Sequence, residues 1–147
     1  MVPVDGVAPE QVPDTFNESR DKGGRLHRAT DISAPRGTRV LAATSGKILR
    51  LSTGKLGGIT LYMVDDRARF LYYYAHLDRY AEHLDVGQRM EQGNLLGYVG
   101  ATGNADVRAP HLHFQVMRWD PSRRDYWNGV PVDVRPFLTR AGKERGT

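Results

Sequence analysis

Short runs of alternating apolar and polar residues dominate this chain, and long helical periodicity is scarce. Strand side chains point to opposite faces in turn, so such runs, bounded by turn formers, predict half-buried β-strands. The pattern predicts strands over residues 39–43, 46–52, 59–64, 70–76, 95–99 and 113–118. Glycines at 46, 54, 57, 58, 87, 93, 97, 100 and 103 fall mostly at or near their ends. Asp65-Asp66-Arg67-Ala68 separates two runs and reads as a hairpin connection. The expected fold is all-β, a compact antiparallel sandwich or barrel with few or no helices.

Length and composition narrow this to one domain. The chain has 147 residues, 39% of them hydrophobic and 26% charged, which is ordinary for a globular protein with a real core. No apolar run approaches the roughly 20 residues a membrane-spanning helix needs. Residues 1–20 read as a loosely attached leader, 21–139 as the folded domain and 140–147 as a frayed tail. The first 17 residues show neither the basic nor the apolar region of a secretory signal. That leaves a cytoplasmic protein or a domain cut from a longer exported precursor. Absence of cysteine removes disulfides and thiolate zinc sites. The net charge of +4 reads either as a solvated basic face or as attraction to an anionic polymer such as a cell wall. No nucleic-acid-binding motif is present, so no nucleic-acid partner is expected.

The chemistry gathers at histidines. His111 and His113, in Pro110-His111-Leu112-His113-Phe114, are two apart on a strand and therefore share a face. His27 and Asp31 are four apart, a spacing that gives one face in either a helix or a strand. Pro35 disfavours helix just downstream, which puts this pair on a loop entering a strand. Imidazole and carboxylate are both zinc ligands, and a catalytic zinc needs three plus an open position. Read singly, His27 is a surface histidine, Asp31 a turn former and His113 a satisfied interior histidine. Together they make a divalent metal site the leading idea. Two histidines and a carboxylate also make the facial triad of non-haem iron oxygenases, which leaves further histidines without a role. His76 ends the run Tyr72-Tyr73-Tyr74-Ala75-His76, and alternation sends Tyr72, Tyr74 and His76 to one face. A histidine at such a strand end suits an acid or base.

These segments resemble the M23 zinc metallopeptidases, the lysostaphin-like and LytM-like endopeptidases, from about Gly24 to Met117. His27-x-x-x-Asp31-Ile32 followed by Ala34-Pro35-x-Gly37-Thr38-x-Val40 is similar to the first ligand block and the next strand. Tyr74-Ala75-His76-Leu77 matches the central histidine segment. Gly87-Gln88, Gly93, Gly97 and Thr102-Gly103-Asn104 resemble the glycine-rich stretch before the final Pro110-His111-Leu112-His113-Phe114 signature.

The resemblance implies the LytM domain, a duplicated hybrid motif, and one zinc ion held by His27, Asp31 and His113. His76 and His111 would be the pair that handles protons and polarises the scissile carbonyl, with the roles undivided between them. The implied substrate is the peptide part of peptidoglycan, and the implied location is the cell envelope, periplasmic or extracellular. The alternative is a non-catalytic, peptidoglycan-binding or amidase-activating module of the same fold, against which the presence of all five site residues argues. Two departures stand out. Ala29 replaces a frequent glycine, and no tyrosine precedes Tyr62 where some members carry one, leaving Asn17 or Ser19 as substitutes.

Overall fold

The computed structural model describes residues 1–13, 29–124 and 129–139. Its strands, in chain order, are β1 (Thr30–Ser33), β2 (Arg39–Leu41), β3 (Gly46–Gly54), β4 (Gly58–Asp65) and β5 (Phe70–Tyr80). They continue with β6 (Arg89–Met90), β7 (Leu95–Val99), β8 (His111–Arg118) and β9 (Pro131–Val132). Every pairing is antiparallel, within one nine-stranded sheet ordered β1-β8-β5-β4-β3-β6, with β7 joining β2 to β5 and β9 lying on β8. Among the described residues there is no α-helix, only 3-10 turns at Pro9–Gln11 and Arg135–Phe137. The all-β expectation holds, and each of the six expected strands forms. The three additional strands have at most four residues, too few to show a period.

Alternation builds the core. Ile32, Ile48, Leu61, Met63, Leu112 and Phe114 project inward from four strands and are fully buried together. Tyr72 and Tyr74 join them, with the Tyr74 ring tilted against Phe114 at 5.3 Å between ring centres. The Tyr74 hydroxyl accepts the Ala43 N–H at 3.0 Å, so its polar end is satisfied inside the core.

The long strand β5 holds the bend that matters for the site. Tyr74 faces Leu61 and Leu77 faces Ile59, so Ala75 and His76 together oppose Thr60. Two residues against one is a β-bulge, which bends the strand and re-aims side chains. His76 takes the left-handed backbone conformation, φ +61°, costly for a residue with a Cβ. Before the bulge β5 pairs with β8, as far as Ala75 opposite His113; after it β5 pairs with β7, from Leu77 opposite Val99.

One boundary needs correcting. Residues 1–13 are not a loose leader: Val2 and Val4 are buried, Val4 bridges to Val40, and Leu41 N–H donates to the Pro3 carbonyl at 2.8 Å. Val2, Pro3 and Val4 are buried one after another, a run too short and too interrupted by proline to read as a strand. Residues 14–20 and 140–147 of the expected leader and tail lie outside the described residues.

Candidate metal and proton-transfer site

Register brings the chemistry together. Asp31 on β1 is directly opposite His113 on β8, and Ser33 is opposite His111. Facing residues on adjacent antiparallel strands share a side of the sheet. Asp31 Oδ1 accordingly lies 3.1 Å from His113 Nδ1 and 3.7 Å from His111 Nε2. The His76 ring is centred 5.0 Å from that of His111 and 5.8 Å from that of His113. Four of the five expected site residues thus form one cluster; His27 lies outside the described residues. Asp31 sits within β1 itself rather than on a loop before it.

The position of His76 contradicts the simple alternation expected for its strand. Tyr72 and Tyr74 point into the core, whereas His76 turns to the histidine cluster. The bulge inserts one residue and so exchanges the faces. Tyr73 is the tyrosine on the site side: its ring stands edge-on to His113 at 5.9 Å and packs on Tyr62 at 4.7 Å. Burial pushes its phenol above the ordinary tyrosine value.

Hydrogen bonds sort the three imidazoles into two kinds. His76 Nδ1 is 2.7 Å from the Thr102 carbonyl, and His111 Nδ1 is 3.1 Å from the Ala109 carbonyl. A carbonyl only accepts, so Nδ1 carries the hydrogen in both, and the neutral ring keeps its lone pair on Nε2. His113 is turned the other way, with Nδ1 toward Asp31. His76 is buried, and that burial, reinforced by the neighbouring His113 and His111, lowers its pKa below the usual histidine value; the Thr102 carbonyl and Asp31 act in the opposite direction. Neither backbone carbonyl was detectable in the sequence, because an acceptor that every residue carries leaves no signature.

An imidazole nitrogen and a carboxylate oxygen 3.1 Å apart suit two ligands of one ion held at about 2.0–2.1 Å. Among the described residues, no group of three or more His, Asp or Glu side chains is arranged to hold a metal. The pair fits a zinc donor set as two of its members.

The antiparallel β-fold brings an aspartate–histidine pair together with two oriented imidazoles, His76 at the bend of β5 and His111 at the start of β8. The model of peptidase family M23 matches residues 25–134, and the chain belongs to that family. Lysostaphin of Staphylococcus simulans is 32% identical over 120 residues, which are 81% of this chain and 22% of lysostaphin. An L-Ala–D-Glu endopeptidase of Bacillus subtilis is 32% identical over 123 residues, 80% of this chain and 37% of that protein. The chain therefore spans less than two fifths of either relative. Among solved structures, the catalytic domain of lysostaphin from S. simulans superposes with a TM-score of 0.67 at 33% identity, covering 80% of this chain and 81% of that one. A zinc-containing peptidase from Vibrio cholerae gives a TM-score of 0.67 at 25% identity, covering 90% and 38%.

Proposed function

We propose that this chain is a zinc-dependent endopeptidase that hydrolyses peptide cross-links or bridges of bacterial peptidoglycan. The observation that carries the reading is the convergence of Asp31, His113, His111 and His76, with the last two held so that Nε2 lone pairs are available on the site side. Similarity to lysostaphin and to an L-Ala–D-Glu endopeptidase supports the substrate class, and a zinc-containing structural neighbour supports the metal.

Asp31 and His113, with His27 as third ligand, would hold one zinc ion. Bound zinc supplies Lewis-acid polarisation and a water that ionises near neutral pH. An available Nε2 accepts a proton from the attacking water and returns it to the leaving amine. The second histidine, when it carries a proton on Nε2, donates to the developing oxyanion, an interaction typically worth about 3 kcal/mol. Burial keeps His76 neutral to lower pH than an exposed histidine, which suits acceptance. The proposed place of work is the cell envelope, where the substrate is.

The test is release of peptides from purified peptidoglycan by the zinc-loaded chain. Turnover should cease with a chelator and return with zinc, and the product masses would identify the bond. A folded, zinc-loaded protein that binds peptidoglycan without cutting it would overturn the reading in favour of a non-catalytic module.

A further inference from the structure

The bulge at His76 is closed by a side chain from elsewhere. Thr102, in the connection between β7 and β8, receives the Ile59 N–H on Oγ1 at 3.1 Å and donates the same hydroxyl to the Leu77 carbonyl at 2.7 Å. Ile59 and Leu77 face each other across β4 and β5, so the hydroxyl stands in series between a donor and an acceptor of the sheet ladder. The backbone carbonyl of this same residue accepts from His76 Nδ1. A second tie comes from the β3–β4 turn, where the His76 N–H donates to the Gly57 carbonyl at 2.7 Å.

The packing leaves Thr102 little freedom. Gly58 has φ +69°, and a Cβ there would lie 2.3 Å from Thr102 Oγ1 and 2.5 Å from the Gly103 nitrogen. A Cβ on Gly103 would lie 2.4 Å from the Gly58 nitrogen. Asn104 N–H adds a bond to the Leu56 carbonyl at 3.0 Å. The two glycine-bearing loops are therefore in backbone contact, with the threonine between them and the bend.

We propose that Thr102 is a positioning residue: its hydroxyl fixes the Ile59–Leu77 gap, which aims its own carbonyl at His76 Nδ1 and commits His76 to the tautomer with Nε2 facing the site. The catalytic part of this inference rests on the endopeptidase reading above. The tautomer part does not. Without the hydroxyl, the Ile59 N–H and the Leu77 carbonyl lose a partner, the 102 carbonyl is released, and His76 exchanges between tautomers while the metal ligands are untouched.

The test compares Thr102→Ser, which keeps the hydroxyl, with Thr102→Val, which keeps the shape. Imidazole nitrogen NMR should find His76 protonated at Nδ1 in the wild type and in Thr102→Ser, and of mixed tautomer in Thr102→Val. On peptidoglycan, Thr102→Val should lose about ten- to hundredfold in kcat, the scale of a misplaced catalytic group, with zinc content and KM unchanged and with rescue by serine. In a His76→Ala background, Thr102→Val should have no further effect on the residual rate. An equal loss in that background would mean a general structural role and overturn the proposal. If Thr102→Val does not fold, the wild-type tautomer still decides, since protonation at Nε2 overturns it. A wild type that turns over nothing but shows His76 protonated at Nδ1 defeats the endopeptidase reading and leaves the positioning intact.

Discussion

His111 and His113 differ by two positions and share a face, yet their ring nitrogens are used differently. His111 gives Nδ1 to the Ala109 carbonyl, and His113 turns Nδ1 to Asp31. That difference predicts separable losses. Asp31→Ala and His113→Ala should lose bound zinc and turnover together, as measured by metal analysis beside a peptidoglycan assay. His76→Ala and His111→Ala should retain zinc while kcat falls about 10²–10⁴-fold, the usual worth of a proton-transferring group. Metal loss from His111→Ala equal to that from His113→Ala would reverse the assignment within the pair. At this scale, the sequence revealed the shared face of His111 and His113 because strand period is strict, and it placed Asp31 beside them through the family resemblance. It misdirected His76, because a bulge adds one residue with no marker in Tyr73-Tyr74-Ala75-His76.

Among elements, the bend in β5 is held on its outer side as well. Asp78, just after the bulge, accepts from Arg36 Nε at 2.7 Å and pairs with Arg79 at 3.0 Å. The hydrogen bond from Arg36 holds its carboxyl below the usual aspartate value. A lowered folded-state pKa contributes stability that is complete above the unfolded pKa, about 3.9, and is lost as pH falls through the folded value. Urea unfolding should therefore show Asp78→Asn losing less stability than wild type between pH 7 and pH 3. The difference should be about 1 kcal/mol or less, because Arg36 is largely solvated. The longer strands were legible, and the three-residue β2 fell within the expected run 39–43. β6 and β9, of two residues each, exist only through their partners β3 and β8, which no local pattern encodes.

At the scale of the whole molecule, Val2 and Val4 near the start of the chain are part of the core. Both are buried, and the Val2 N–H donates to the Thr139 carbonyl at 3.1 Å, tying the two ends of the described domain together. Removing residues 1–5 should lower the stability by about 1.5–3 kcal/mol for each buried valine, read as a fall in the denaturation midpoint. An unchanged midpoint would restore the view of a dispensable leader. The sequence hid this docking because Pro3 and Pro9 give the segment the composition of a linker, while its partner Val40 lies far along the chain.

The opposition of Asp31 and His113 across β1 and β8 has one more consequence. A strand out of step by one residue turns every side chain to the other face, so β1 docked one place away would send Asp31 inward and Ile32 outward. Such a molecule would retain most of the sheet and still be unable to offer the two donors to one ion. If Asp31 and His113 hold zinc as proposed, metal uptake would count correctly threaded molecules rather than merely compact ones, and the ion, by stabilising only the form it binds, would act as a proofreader of the pairing.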